Sequence, residues 1–305
     1  MKRTLKDYII IGLKGIAMGA ADVVPGVSGG TIAFISGIYQ ELIDTINAIN
    51  FKALKILKNE GIKATWKAIN GNFLASLLLG IGISVISLAQ FIKWLLENKP
   101  VLLWSFFFGL VLASIFFVGK QVSKWNIKHI IVLIIGAIVA YYITVIPALG
   151  ANTSPWFMFM AGALAICAMI LPGISGSFIL VLLGAYKPVL DAIHNKDFKT
   201  IFVLMFGAVV GILTFSRLLK WMFDHHKDTT LAVLTGFIIG SLNKIWPWKE
   251  VLQSEIINGK LKIILEKSIS PFQYQGDNQL LLAFVFAIIG FGVIIVLEKF
   301  AQTQA

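Results

Sequence analysis

The chain has 305 residues, of which 58% are hydrophobic and only 13% are charged. A soluble domain carries about a quarter of charged residues, so this composition excludes a soluble globular fold and places apolar side chains against lipid. The formal net charge is +11, but the lysines lie between apolar segments, which favours the basic loops of a membrane protein over nucleic-acid binding. With one cysteine and no cluster of cysteine and histidine residues, we predict no internal disulfide, metal site or cofactor.

Six long apolar segments predict transmembrane helices. Each has about 20 residues, the length that crosses the hydrocarbon core of a bilayer, about 30 Å thick. They lie at 72–96, 100–118, 129–147, 200–222, 229–246 and 279–298.

Two further apolar stretches, 8–47 and 156–193, are interrupted near their middle by a Pro-Gly pair with small neighbours. Proline ends a helix and glycine frees the backbone. Each stretch is therefore predicted to form two short helices around a break, folded as a hairpin within the membrane.

The two broken stretches resemble each other. Residues 24–31 read VPGVSGGT and residues 171–178 read LPGISGSF, a shift of 147 positions. Later matches occur at a shift of 127, and the difference is close to the length of a basic amphipathic insertion at 51–70. We therefore predict an internal duplication, with a first repeat at 1–147 and a second at 148–305.

Each predicted repeat contains one hairpin and three crossings, so the second repeat enters the membrane with the opposite orientation. The predicted fold is an all-α polytopic membrane protein built from an inverted repeat. With both termini inside the cell, the excess of lysine and arginine lies on the cytoplasmic side, as the positive-inside rule requires. The prediction is a multi-pass protein of the bacterial cytoplasmic membrane, N-in and C-in.

The two breaks contain the candidate binding residues. A helix start leaves backbone N–H groups unpaired and carries about half a positive charge. Two such starts at membrane depth, with glycines that let a ligand approach and hydroxyls that donate, predict an anion site suited to phosphate. The candidate phosphate-binding residues are Gly26, Ser28, Gly29, Gly30, Thr31, Gly173, Ser175, Gly176 and Ser177. The alternative is that these residues only pack and cap re-entrant turns.

Three charged residues extend this hypothesis, because an ionisable residue at membrane depth indicates function. Lys14 is expected to neutralise a phosphate, and Asp22 to carry a proton or to orient Lys14. The alternatives are a mutual Lys14–Asp22 pair or a Lys14 that reaches the membrane interface. Arg217 is expected either to bind phosphate or to anchor the cytoplasmic face.

The run at 18–31 (MGAADVVPGVSGGT) resembles the signature of the bacterial family once called domain of unknown function 368, and the run at 172–177 (PGISGS) also fits it. The resemblance extends over most of the chain. It implies a polyprenyl-phosphate translocase, or flippase, that returns undecaprenyl phosphate from the outer to the inner leaflet for reuse in cell-envelope synthesis. Its partners would be that lipid and the surrounding membrane lipids, and we expect the movement to be ion- or proton-coupled.

The motif is also similar to that of undecaprenyl-pyrophosphate phosphatases, in which Pro-Gly-x-Ser precedes Arg-Ser and a glutamate pair is essential. Gly29 and Gly176 stand where that arginine would be, and Asp22 is the nearest acid. Because hydrolysis needs a base and an anion clamp, we expect a transporter and not an enzyme. An ion-coupled carrier of a small soluble anion is the other alternative.

Overall fold

A computed structural model of the chain describes residues 3–24, 27–146, 149–150, 152–257 and 260–302. Helices dominate the fold. In chain order they are α1 (Leu5–Val23), α2 (Gly29–Ile35), α3 (Tyr39–Ala48), α4 (Phe51–Ala68), α5 (Gly71–Asn98), α6 (Pro100–Lys120), α7 (Ile127–Val145), α8 (Pro155–Ile170), α9 (Gly176–Leu182), α10 (Tyr186–His194), α11 (Phe198–Ser241) and α12 (Leu280–Gln302). A 3-10 helix (Leu242–Ile245) and two strands, β1 (Lys249–Ile257) and β2 (Lys260–Ser268), lie between α11 and α12.

Within these ranges, four helices are long and apolar enough to cross a membrane, or up to five if the bent α9–α10 pair forms one span. α5 alone has 28 residues, about 42 Å at a rise of 1.5 Å per residue, which exceeds the thickness of the hydrocarbon core. The chain is therefore a multi-pass membrane protein, and the prediction of a mostly helical membrane fold is confirmed.

Each broken stretch forms three helices and not the predicted two. α1 is followed by α2, which has only 7 residues, and then by α3. The order recurs in α8, α9 and α10, and α9 and α10 are bent by 105°. The additional bends fall at Gly37 and Gly184, whose φ values of 74° and 68° lie in the left-handed region that glycine adopts readily. A seven-residue helix spans about 10 Å, so neither α2 nor α9 crosses the core alone.

The helices that follow each hairpin turn in the same way. α5 ends at Asn98 and α6 begins at Pro100, with Lys99 between them at φ −138° and ψ 48°. Within α11, His226 has φ −141° and ψ 47° and lies 127 positions after Lys99. The helices predicted at 200–222 and 229–246 are thus two arms of α11, because a one-residue break replaces the predicted loop between them.

Small residues let the helix backbones approach closely. A Cβ atom at Gly15 of α1 would meet the carbonyl oxygen of Leu77 in α5, and one at Gly162 of α8 would meet that of Leu204 in α11. The two contacts lie at corresponding positions, since the glycines are 147 residues apart and the leucines 127. In lipid, where apolar side chains gain little by leaving solvent, such close packing holds helices together.

Two further helix pairs join the first half of the chain to the second. α6 packs on α12, where Gly109 lies against the backbone of Ala287. α7 packs on the second arm of α11, where Gly236 lies against the backbone of Leu133. Gly236 follows Gly109 by 127 positions, so the same kind of contact occurs at matched places.

The outward faces of the helices are apolar, which is the reverse of a soluble protein. In α7, Ile130, Ile131, Ile134 and Ile138 are each about half exposed, while Gly136 faces α11. The exposed isoleucines recur at helical spacing and form one stripe. This stripe is suited to contact with lipid acyl chains.

The segment after α11 departs from the all-α prediction. β1 and β2 form an antiparallel two-stranded sheet that begins at the pair Lys249–Ser268. The indole N–H of Trp248 donates to the carbonyl of Asn278 at 2.9 Å, and Trp248 packs with Ala283 of α12. The hairpin is thereby tied to the start of the last helix.

The basic insertion predicted at 51–70 contains α4, which lies on the surface of the structure. Most of its large apolar residues are exposed together with its lysines, and Phe51 is 82% exposed. Gly61, with φ 84°, interrupts the helix near its middle. The helix is therefore not part of the packed bundle.

The close approach of α1 to α5 predicts a sharp difference between two glycines of α5. Gly80→Val would place its Cβ against the backbone of Gly12 and Ile16, whereas Gly82 has open space around it. We expect Gly80→Val to destabilise the protein by at least about 1–3 kcal/mol, the usual cost of overpacking, because backbone atoms cannot move aside. Gly82→Val is the matched control and should unfold like the wild type. Equal thermal unfolding midpoints of the two purified variants in detergent would contradict this packing.

Candidate functional site

The first break is capped by two side chains. The Ser28 hydroxyl oxygen accepts a hydrogen bond from the backbone N–H of Gly30 at 3.1 Å, as an N-cap residue does. The carboxylate of Asp22, near the end of α1, accepts from the N–H of Gly29 at 2.7 Å. Two of the N–H groups at the start of α2 are thus already satisfied, one of them by an anion.

The two breaks lie against each other. The Ser28 hydroxyl donates to the carbonyl oxygens of Leu171 at 3.1 Å and Met169 at 3.3 Å, at the end of α8. In return, the backbone N–H of Gly173 donates to the Thr31 hydroxyl oxygen at 2.9 Å. Ser28 and Thr31 are each 1% exposed. The structure therefore brings the two predicted sites together as one buried contact.

The second break is capped differently. The hydroxyls of Ser175 and Ser177 bond to each other at 2.9 Å, and among the described residues the Ser175 side chain makes no cap hydrogen bond to α9. Ser177 is only partly buried. Gly173 has φ 88° and its missing Cβ would lie 2.8 Å from the Ser241 hydroxyl, so both conformation and space require glycine there.

The glycines of both breaks are packing positions in this conformation. A Cβ at Gly29 would strike the carboxyl group of Asp22, one at Gly30 would lie 2.5 Å from the carbonyl oxygen of Ile170, and one at Gly176 would lie 2.7 Å from that of Ala165. All three glycines are buried. The predicted approach of a ligand to their N–H groups therefore requires these contacts to open, within each hairpin at Gly29 and Gly176 and between the two breaks at Gly30.

The charged candidates are arranged around α2 and not as a mutual pair. Lys14 Nζ donates to the carbonyl oxygen of Ser36 at 2.7 Å, just beyond the end of α2, while Asp22 binds its start. A carboxylate at the positive end of a helix and an ammonium at the negative end both interact favourably with the helix dipole. In this conformation Lys14 bonds to the backbone of Ser36 and Asp22 to that of Gly29, so the two side chains do not form the predicted contact with each other.

Two other candidates, Arg217 and Gly26, are not seen in the contact between the breaks. Arg217 is exposed on the first arm of α11, in the same helix turn as Lys220, which pairs with Asp44. Gly26 lies outside the described residues, so its predicted contribution stays a prediction.

A second charged cluster lies where α11 leads into the hairpin, and its residues are not among the predicted candidates. The Nζ atoms of Lys244 and Lys249 lie 3.0 and 2.9 Å from the same carboxylate oxygen of Glu266. Lys249 also donates to the carbonyl oxygen of Lys244 at 2.7 Å. The exposed fractions of these side chains are 18%, 8% and 16% for Lys244, Lys249 and Glu266, so the cluster is largely buried.

Aromatic rings connect this cluster to the second break. Lys244 Nζ lies 4.6 Å from the centre of the Phe178 ring, and Phe178 directly follows Ser177. Lys249 Nζ lies 3.8 Å from the centre of the Trp104 ring of α6. Both distances are within the range of cation–π attraction, so Lys244 is held beside the start of α9 and Lys249 beside α6.

Burial and neighbouring charge oppose each other in the hairpin. Burial lowers the pKa of Lys249 to about 8, although Glu266 acts to raise it. Burial alone would raise the pKa of Glu266, but the charges and hydrogen bonds of Lys249 and Lys244 bring it below its usual value. The contact between Lys249 and Glu266 therefore favours the charged form of both groups and partly offsets the cost of their burial.

A sequence signal for this cluster exists in part. The run at 244–249 (KIWPWK) places two lysines around two tryptophans at the end of an apolar helix, a pattern typical of a membrane interface. Glu266 follows many residues later and meets Lys249 only through the pairing of β1 with β2. That contact could not be read from spacing.

The fold and the paired breaks define a multi-pass membrane protein whose interrupted helices meet in its interior, an arrangement that transporters use for substrate sites. Residues 18–263 match the family model described as undecaprenyl phosphate translocase-like. The chain therefore belongs to that family, which confirms the resemblance noted in its sequence.

Two curated proteins are similar over most of the chain. A polyprenyl-phosphate transporter of Vibrio cholerae serotype O1 is 44% identical over 301 residues, covering 97% of this chain and 98% of that protein. A polyprenyl-phosphate transporter of Staphylococcus aureus is 32% identical over 253 residues, covering 77% and 85%. No solved structure matches the chain.

The hydroxyl of Ser28 links both breaks, so its removal should be costly. Ser28→Ala leaves the N–H of Gly30 and the carbonyl of Leu171 without this partner, and we expect a loss of about 1–2 kcal/mol in stability. Ser87→Ala is the control, because Ser87 is exposed and bonds only within its own helix. The thermal unfolding midpoint in detergent checks both variants, and an unchanged midpoint for Ser28→Ala would refute the bridging role.

Proposed function

We propose that this protein is a flippase that moves a polyprenyl phosphate, in particular undecaprenyl phosphate, between the leaflets of the bacterial cytoplasmic membrane. The observation that carries the proposal is the buried contact between the two breaks, in a chain of the undecaprenyl phosphate translocase-like family. A lipid phosphate needs shelter only for its headgroup, since its isoprenoid tail can stay in the bilayer. Backbone N–H groups and hydroxyls from two helix starts supply donors that offset the loss of water.

The described conformation corresponds to a closed state in this proposal. The Asp22 carboxylate occupies the N–H of Gly29, and Ser28 and Thr31 bond to the opposite break. A phosphate that enters the contact takes the place of these internal partners, with Asp22 as the resident anion that it displaces. Protonation of Asp22 would weaken its hold on the helix start and couple headgroup binding to a proton.

The inverted repeat, with parts 1–147 and 148–305, belongs to the proposal. It is supported by helix bounds that recur at shifts of 147 and 127, with α2 matching α9 and α5 matching the first arm of α11. The nearly equal backbone angles at Lys99 and His226 support it too. In such a repeat one break opens toward each membrane face in turn, with N-in and C-in termini.

The function is tested by placing the purified protein in liposomes that contain labelled undecaprenyl phosphate in one leaflet. We expect protein-dependent movement of the label to the other leaflet, without release of inorganic phosphate from a lipid pyrophosphate. A parallel set of vesicles without polyprenyl lipid should not accumulate labelled inorganic phosphate. If those vesicles accumulated labelled phosphate and the lipid did not move, the flippase proposal would be wrong and the protein would be a carrier of a soluble anion.

The role of Asp22 is tested by Asp22→Asn. The asparagine oxygen can still accept from the Gly29 N–H, so the fold should persist, but the charge and the proton site are lost. We expect transport that no longer responds to a pH gradient. Asp44→Asn, which removes an acidic residue from the exposed pair with Lys220, is the control and should keep the response. An unchanged pH profile for Asp22→Asn would reduce Asp22 to a capping residue.

A further inference from the structure

The two lysines at the start of the hairpin carry more positive charge than their protein partner neutralises. Both ammonium groups bind the same Glu266 oxygen, so the cluster retains one net positive charge in a largely buried place. Buried charge is costly unless it is paired. An anion with more than one negative charge that took the place of the Glu266 carboxylate would neutralise both ammonium groups.

Lys244 also has donors to spare. An ammonium group has three N–H bonds, and among the described residues Lys244 uses one, for Glu266, while its charge faces the Phe178 ring. Phe178 is the third residue of α9 and follows Ser177, whose hydroxyl bonds only to that of Ser175 within the described part of the chain. Lys244 is thus held beside the start of α9, one residue along that helix from Ser177, which is only partly buried.

The cluster is rigid enough to present a defined site. Lys249 is fixed by Glu266, by the carbonyl of Lys244 and by the Trp104 ring. The hairpin that provides Glu266 is itself attached to the helices, because the Trp246 indole N–H donates to the carbonyl of Ile269 at 2.9 Å. Lysine binds phosphate as a compact point charge, so a pre-positioned pair suits a phosphate monoester, which carries between about −1.5 and −2 charges at pH 7.

We propose that Lys244 and Lys249 form a recognition site for a phosphate monoester beside the second break, which Glu266 occupies until the phosphate replaces it. This inference rests on the proposed function, because it identifies the headgroup of the transported lipid as the ligand. It goes beyond that function in assigning the site to residues of the hairpin and not to the breaks. The site receives the headgroup on the hairpin side before the breaks separate.

Opposite effects of two kinds of substitution separate this site from a structural clamp. Lys244→Met and Lys249→Met each remove a charged donor. We expect each variant to bind a short-chain polyprenyl phosphate at least about tenfold more weakly than the wild type, because a hydrogen bond to a charged group usually contributes that much affinity. Glu266→Gln removes the competing charge and should bind as tightly as the wild type or more tightly. If the cluster only holds the hairpin in place, Glu266→Gln loses binding together with the lysine variants.

The experiment is calorimetric titration of the full-length protein in detergent, with a short-chain polyprenyl phosphate and separately with inorganic phosphate. Lys267→Gln, at an exposed lysine of the same hairpin, controls for the change in net charge and should bind like the wild type. Lys249→Arg keeps the charge and should retain most binding. The thermal unfolding midpoint of each variant identifies any that fails to fold.

The outcomes distinguish this inference from the proposed function. Wild-type lipid binding that is unaffected in both folded lysine variants overturns the hairpin site and leaves the flippase proposal standing. Binding of inorganic phosphate alone, with dependence on both lysines, supports the site and overturns the lipid as its ligand. Lipid binding that falls in the lysine variants and persists in Glu266→Gln supports both.

Discussion

The interior of a bilayer offers no water to a backbone N–H or carbonyl, so each interruption of a helix must be satisfied by the protein itself. This constraint accounts for the contact between the two breaks. The Ser28 hydroxyl reaches the end of α8, and Thr31 accepts from Gly173, so each break supplies partners for the other. Neither hairpin can be satisfied in the same way alone, and the two halves of the chain are therefore coupled at their least regular points.

The same constraint makes the breaks suitable for exchange of partners. The hydroxyls and backbone N–H groups that bond across the two breaks could also bond to a phosphate headgroup. Asp22 already places an anion at the start of α2. The dipole of the short helix α2 is matched by a charge of opposite sign at each end, Asp22 at its start and Lys14 at its end. The start of α9 instead lies beside Lys244, which belongs to a cluster with excess positive charge. The two halves thus share a backbone plan and differ in charge, which gives the proposed transport cycle two unequal sides.

Much of the fold could be predicted from the sequence because lipid imposes simple rules. Helix length follows from membrane thickness, and the proline and glycine residues mark the breaks, so the helical membrane fold and both interrupted stretches were accessible. The second bends, at Gly37 and Gly184, were present as matched glycines, but only the positive φ angles assign them as turns. The hairpin of β1 and β2 is absent from the prediction because its nine-residue strands mix charged with apolar residues and form no long apolar segment.

The candidate site was predictable in its location more than in its contacts. The sequence predicts Ser28 and Thr31 as donors toward a ligand, whereas the structure places them against the opposite break, a long-range contact that spacing cannot reveal. The sequence predicts a phosphate or Asp22 as the partner of Lys14, yet Lys14 donates to the carbonyl oxygen of Ser36, the residue that caps the end of α2. Lys244 and Lys249 meet Glu266 only through the strand pairing, so the local run at 244–249 indicates a membrane interface but not this cluster.

The central claim is that the contact between the breaks opens during transport. It is tested most directly by introducing Ser28→Cys and Leu171→Cys into a Cys167→Ser background and by measuring leaflet movement of labelled undecaprenyl phosphate in liposomes, before and after oxidation. We predict that the crosslinked protein stops moving the lipid and that reduction restores movement, while each single-cysteine variant is insensitive to oxidation. Full transport by the crosslinked protein would contradict the account, because the breaks would then never need to separate.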